Sequence, residues 1–245
     1  MTNTTGTPER LKWLEGFNPH LALARMHESG ELRELLPEVD CLYGVPQNPH
    51  HHPEIDTGVH TELVLQVAAA LSSSPMIRFA AMTHDLGKGL TPSVDWPRHI
   101  DHETLGEPPV HAVCTRLAVN DDWRQLAVMV CVHHLRAHRA LDASPRAFIR
   151  LFEESGLAHA EHLEEPFLLC VEADMRGRAG WQDFTYRQGR LLRKVFSLLR
   201  ELPRPMDEAA TLKEVERVHR ERLARIGPVV QFYKDGGDTL PSDKN

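Results

Sequence analysis

The sequence has few cysteines, no long apolar run and no excess of positive charge. Its four cysteines, Cys41, Cys114, Cys131 and Cys170, are widely spaced and form no C-x-x-C pair. They read as buried thiols in a reducing compartment. No stretch approaches the roughly 18 uncharged apolar residues that a bilayer span requires. The start, Met1-Thr2-Asn3-Thr4-Thr5-Gly6, shows neither a basic n-region nor an apolar h-region. These absences predict a cytoplasmic protein with no membrane partner.

The formal net charge is -7, which argues against a broad nucleic-acid-binding surface. The charge is uneven: residues 1–120 hold 8 basic and 15 acidic residues, whereas residues 121–245 hold 20 of each. A small nucleotide or an RNA 3′ end gripped by local arginines stays compatible with that balance, and so does a homo-oligomer. No G-x-S-x-G or Walker A motif occurs. Residues 1–50 contain no D-x-D pair and no Gly-Gly-x-x-Arg-Asp, the carboxylates and phosphate loop that nucleotide addition would need.

Helical periodicity is what the chain does have. In residues 57–71, Val59, Leu63, Val64, Val67, Ala68 and Leu71 recur at helical spacing. Further helices are expected at about 8–16, 18–29, 76–82, 108–118, 121–139, 144–155, 162–175, 184–201 and 207–226. Strand-like alternation is nearly absent, so the class is all-α. Thr7-Pro8 marks a helix start, and Leu32 to Leu36 form a turn ended by Pro37. Residues 43–54 and 89–109 are rich in proline and read as loops, the second lining a site. In the last helix, Leu212, Val215, Val218 and Leu223 form the expected apolar stripe. The organisation is then a disordered start (1–7), N-terminal helices and a loop (8–56), a main domain (57–202), a C-terminal helix (203–234) and a flexible tail (235–245).

The chemistry centres on Met82-Thr83-His84-Asp85-Leu86-Gly87-Lys88. Read as helix, His84 and Asp85 point about 100° apart, and both can reach one ion lying against it. A divalent ion needs more ligands than two. His60 and Asp174, each on its own predicted helix, supply the missing nitrogen and oxygen. Such a mixed set suits Mn, Mg, Fe, Ni, Co or Zn. The plainer alternative is that His84-Asp85 is only a helix end.

These residues carry a resemblance. His60, His84-Asp85 and Asp174 match the H…HD…D signature of HD-domain metal-dependent phosphohydrolases. Longer words bring the resemblance closer: Leu36 to Asp40, Tyr43-Gly44-Val45-Pro46-Gln47, His52 to His60, His84 to Pro92, Trp96-Pro97-Arg98-His99 and Glu172 to Arg178. In order and with few gaps, over roughly residues 8–233, they resemble the C-terminal HD region of bacterial CCA-adding enzymes, the tRNA nucleotidyltransferases. The resemblance implies an HD-domain helical bundle with extra N- and C-terminal helices, beginning after the nucleotidyltransferase head.

It also implies a divalent ion (Mg, Mn, Ni, Co or Fe) held by His60, His84, Asp85 and Asp174. The ion would polarise a phosphoryl group and activate water, and Asp85 would orient that water. His102 and His133 extend the order to H…HD…H…H…D, similar to dinuclear HD proteins, and His134 competes for the role of His133. Here Asp101 and Glu103 flank His102, and His134 follows His133, which departs from the CCA-adding pattern and leaves substrate choice open. Lys88, Arg98, His99, Arg176 and Arg178 are candidate phosphate contacts, with Lys88 also counted with Asp85 in the catalytic set. Arg176 and Arg178 have a plainer alternative, pairing with Glu172 or another acid of their helix. The implied activity is 2′,3′-cyclic phosphodiesterase with 2′-nucleotidase and phosphatase action, without CCA addition. The alternatives are hydrolysis of a dNTP or signalling nucleotide, or a non-catalytic HD partner of a separate nucleotidyltransferase.

Overall fold

Proline opens many of the helices. Pro19, Pro37, Pro75 and Pro145 each stand at a first helical turn, where the missing N–H would have had no partner. The computed structural model describes residues 6–204 and 211–237. Among these residues are twelve α-helices and five 3-10 helices, with one isolated antiparallel bridge, Pro46 to Asp56, in place of a sheet. The fold is all-α, as the periodicity requires. None of the described helices is long and apolar enough to cross a membrane.

Two compact units divide the chain. The first takes residues 1–135 and 162–185. It holds α1 (Pro19–Ser29), α2 (Glu31–Leu35), α3 (Pro37–Asp40), α4 (Thr57–Leu71), α5 (Pro75–Met82), α6 (His102–Leu105), α7 (Glu107–Arg116), most of α8 (Asp121–His138) and α10 (Glu164–Arg176). Helices α4, α5 and α10 pack on one another, and α1 lies against α4. Val64, Leu65, Phe79, Leu126, Val130, Phe167 and Val171 are buried in this unit, each contributing about 1.5–3 kcal/mol relative to exposure. Asp56 caps α4: its Oδ1 accepts from Val59 N at 3.0 Å, and its Oδ2 accepts from Gly44 N at 2.7 Å. The cap ties the 43–56 loop to the helix start and sets His60 on the first turn of α4.

The proline-rich segment 89–109 is more ordered than its composition predicts. A 3-10 helix ends in it (Leu86–Leu90), a second follows (Ser93–Asp95), then α6 and the start of α7. Pro37 likewise does more than end a turn, since it begins α3.

The second unit takes residues 136–161 and those from 186 onward. Its helices are α9 (Pro145–Glu154), α11 (Arg187–Glu201) and α12 (Leu212–Lys234). Phe152 and Phe196 meet with ring centroids 5.5 Å apart. The stripe expected on the last helix is displaced. Leu212 is 83% exposed, while Val218, Arg222, Ile226, Val230 and Tyr233 are the buried residues of α12. The helix also runs through Pro228 to Lys234 rather than ending at 226. An interior proline costs about 3 kcal/mol, and burying Val230 and Tyr233 returns about as much or more. Arg222 is buried within that ridge, its guanidinium donating to Glu153 Oε1 and, at 3.0 Å, to Pro203 O. Residues 1–5, the expected helix start at 207–210 and the tail from 238 lie outside the described residues.

Candidate metal centre

The His-Asp pair does not sit on a helix. Helix α5 stops at Met82, and Thr83 turns its hydroxyl back to donate to Phe79 O at 3.0 Å. His84 and Asp85 therefore occupy the turn between α5 and the Leu86–Leu90 3-10 helix. Asp85 takes φ -108°, ψ 16°, near the sparsely populated bridge region where many active-site residues lie.

Around this turn six side chains converge. His60 Nε2 lies 3.1 Å from Asp174 Oδ1, and His84 Nε2 lies 3.6 Å from the same oxygen. His84 Nε2 is also 3.0 Å from Asp85 Oδ2. The other oxygen of that carboxylate, Asp85 Oδ1, is 3.2 Å from His102 Nε2 and 3.7 Å from His134 Nε2, and the two ring nitrogens are 3.4 Å apart. Two sets of donors thus meet at Asp85, which belongs to one and touches His84 of the other. His60, His84 and Asp174 form one, and Asp85, His102 and His134 form the other. All six residues are at most 6% exposed.

The ring nitrogens facing away from the cluster fix the tautomers. His60 Nδ1 is 2.9 Å from Glu54 Oε1, an ion-pair distance that is not well directed as a hydrogen bond. His84 Nδ1 is 2.7 Å from Ala81 O, His102 Nδ1 is 2.9 Å from His99 O, and His134 Nδ1 is 2.9 Å from Cys131 O. Carbonyl and carboxylate oxygens only accept, so each neutral ring carries its proton on Nδ1 and turns the lone pair of Nε2 inward. Inward, those lone pairs meet carboxylate oxygens. An arrangement of acceptors against acceptors calls for a cation.

The electrostatics show the same demand for positive charge: burial opposes a proton on His84, but Asp85 and Asp174 outweigh it and push the ring pKa up to about 10, so a proton and a metal ion compete for its Nε2. Burial raises the Asp85 carboxyl, yet His84, Lys88 and His102 together hold it well below the usual range. Burial lowers His134 to about 3, which keeps it a neutral donor. His84 Nε2 and both Asp85 oxygens are buried without a well-directed hydrogen bond. These residues fit a divalent ion: three nitrogen or oxygen donors on each side, preoriented, with room in the coordination sphere for water and phosphate oxygen.

A further layer steadies the centre. Glu54 Oε1 also lies 2.9 Å from His52 Nδ1, and Glu54 Oε2 accepts from Ala179 N at 3.1 Å. Burial lowers His52 to about 4. Lys88 Nζ lies 2.6 Å from Asp85 Oδ2 and donates to Gln47 Oε1 at 2.5 Å.

The remaining candidates are placed differently. His133 is buried on α8 but belongs to none of the donor groups among the described residues; its neighbour His134 does. His99 keeps both ring nitrogens for the protein, Nδ1 2.6 Å from Thr91 Oγ1 and Nε2 donating to Pro46 O at 2.8 Å. It serves by pinning the segment whose carbonyl holds His102. Arg176 pairs with Glu172 at 2.8 Å and donates to Gln182 O, the plainer of its two readings. Arg178 lies over the Trp181 ring at 5.6 Å, and Arg98 is exposed. Glu54, His52 and Gln47 were not singled out in the sequence. Only their place in words upstream of His60 hinted at them, because their loop has no periodicity.

A helical fold enclosing histidines and aspartates in this order defines an HD-type domain suited to a metal ion. No family model matches the chain. The chain is a homologue of multifunctional CCA proteins. It is 45% identical to the one from Xanthomonas campestris pv. campestris over 196 residues, 77% of this chain and 47% of that protein. It is 41% identical to the one from Aliivibrio salmonicida, over 78% of this chain and 48% of the relative. The one from Stenotrophomonas maltophilia is 41% identical over 77% and 48%. The chain thus spans about half the length of the curated relatives it matches.

Proposed function

We propose that the protein is a metal-dependent phosphohydrolase acting on 2′,3′-cyclic phosphates of nucleotides or RNA 3′ ends, with 2′-nucleotidase and phosphatase action in the same pocket. The observation that carries this reading is the Asp85 carboxylate between two donor groups, its Oδ2 facing His84 Nε2 and its Oδ1 facing His102 and His134 Nε2. Bound divalent ions would supply Lewis acidity toward the phosphoryl group and an activated water. His60, His84, Asp85 and Asp174 would hold one ion, and Asp85, His102 and His134 a second.

The chain's own residues do the rest. Glu54 and the three carbonyls keep the imidazoles from rotating, so little reorganisation is left for the reaction. Lys88, steadied by Gln47 beside Asp85, offers a point charge to a phosphate oxygen. Asp85, between the two donor groups, would also orient the attacking water.

Purified protein offered 2′,3′-cyclic nucleotides, 2′-, 3′- and 5′-nucleotides and dNTPs, with Mg, Mn, Ni and Co in turn, provides the test. Metal-dependent opening of the cyclic phosphate is expected. Preference for dNTPs, or no turnover with any metal, would sink the proposal.

A further inference from the structure

The second unit holds a cavity of about 340 Å³ that contains none of the residues of the metal centre. Its rim carries Arg136 from the end of α8, Arg139 from the turn that follows it and Arg150 from α9, against the single acid Asp142. Beneath them lie Phe148 and Leu151, both buried. Phe148 and Leu151 are three apart and share a face of α9. Charge therefore comes from both helices and the turn between them, and the apolar floor from α9.

Like charges gathered at one concavity repel, and the structure relieves only part of that repulsion. Arg136 pairs with Glu154. Arg139 and Arg150 are exposed at the rim, and among the described residues neither guanidinium takes part in an ion pair or a hydrogen bond. Two uncompensated guanidinium groups over an apolar floor are complementary to a phosphate joined to a flat or apolar body. Guanidinium grips phosphate through paired N–H donors. The volume lies at the low end of small-ligand sites, roughly 300–1,000 Å³, which suits one mononucleotide and not a polymer.

We infer that this cavity is a second ligand site, which binds a nucleoside monophosphate or a phosphate monoester of that size through Arg139 and Arg150. It is independent of the metal centre and of the activity proposed for it.

The test is calorimetric titration of the full chain at low salt with chelator present, using AMP, adenosine and inorganic phosphate as probes. AMP is expected to bind and adenosine to bind at least tenfold more weakly. The double variant Arg139→Glu/Arg150→Glu should weaken AMP at least tenfold. His84→Ala/Asp174→Ala, which removes the metal centre, should leave AMP binding in place. Both arginines are exposed, so circular dichroism should show the fold kept. If the charge reversal unfolds the protein, Arg139→Gln/Arg150→Gln takes its place, with the same expected weakening. The inference is overturned if AMP does not bind, if adenosine binds equally well, if the folded arginine variant binds AMP as the wild type does, or if the metal-centre variant loses it.

Discussion

A Cβ placed on Gly87 would come within 1.8 Å of the carbonyl oxygen of His102 and 2.6 Å of the amide nitrogen of Gly106. The two stretches that meet there carry Asp85 and His102, so their close approach sets one half of the metal centre. Gly87→Ala must push the Leu86–Leu90 turn off α6. The expected cost is about 1–3 kcal/mol, that of an overpacked core position, together with weaker metal binding by Asp85, His102 and His134. Melting curves and metal content on one preparation check this; wild-type values for both would show that the turn accommodates the methyl.

Asp85→Asn keeps the side chain's shape and removes the charge at which the two donor sets meet. Turnover of 2′,3′-cyclic nucleotide should fall at least 10²–10⁴-fold, as for a positioned acid–base group. Without metal the variant should also melt lower than wild type, because buried Lys88 loses its carboxylate partner. Full turnover in a folded variant would make Asp85 structural.

Glu54 touches His60 on the side away from the cluster. Glu54→Ala should weaken metal binding about 10–100-fold, the usual cost of losing a carboxylate behind a ligating histidine, with the helical content kept. Competition against a chromophoric chelator gives the constant, and an unchanged value would remove Glu54 from the centre's support.

Asp40 supplies a pH signature far from the chemistry. Burial alone would raise its carboxyl pKa, but the hydrogen bonds from His27 Nδ1 (2.7 Å) and Arg33 Nε (3.1 Å) outweigh burial and lower it. A folded-state value below the unfolded one means stability that is present above pH 3.8 and lost as pH falls through the lowered value. Asp40→Asn should therefore cost about 1.5–3 kcal/mol at pH 6, the range for hydrogen bonds to a charged group. The difference from wild type should shrink on acidification below pH 4. Urea midpoints across pH 3–7 decide it; a constant difference would assign the effect to packing.

The chain alone should not add CCA, since residues 1–50 hold no paired D-x-D carboxylates. Labelled CTP or ATP offered with a tRNA lacking its CCA end should stay unincorporated; incorporation would refute this.

The sequence was most legible where a period or an unusual residue type spoke alone. Residues 57–71 form one helix with the expected ends, because every third or fourth position is apolar. His60, His84, Asp85 and Asp174 were identifiable by type and order. The choice between His133 and His134 was not, since neighbours on a helix point about 100° apart and only packing decides which faces the centre. The turn at His84 was hidden as well. Helix α5 ends at Met82 with Thr83 as its C-cap, and threonine is common inside helices. His99 looked like a phosphate ligand because its two protein partners, Thr91 and Pro46, lie 8 and 53 positions away, and nothing local announces them.

His60 and Asp174 stand 114 positions apart in the chain yet share one donor group. During synthesis, a ribosome would have made α4, α5, α6 and α8 long before α10 emerged. Until then five of the six inward-facing groups are present without the carboxylate that completes them. Contacts of such long sequence separation form late, after the loop-closure entropy has been met. A chain stalled or cut before residue 174 would lack both a helix that packs on α4 and α5 and a ligand. An ion held by His60, His84 and Asp174 would therefore come only with a finished first unit, and loading of that set would double as a sign that the unit was made whole.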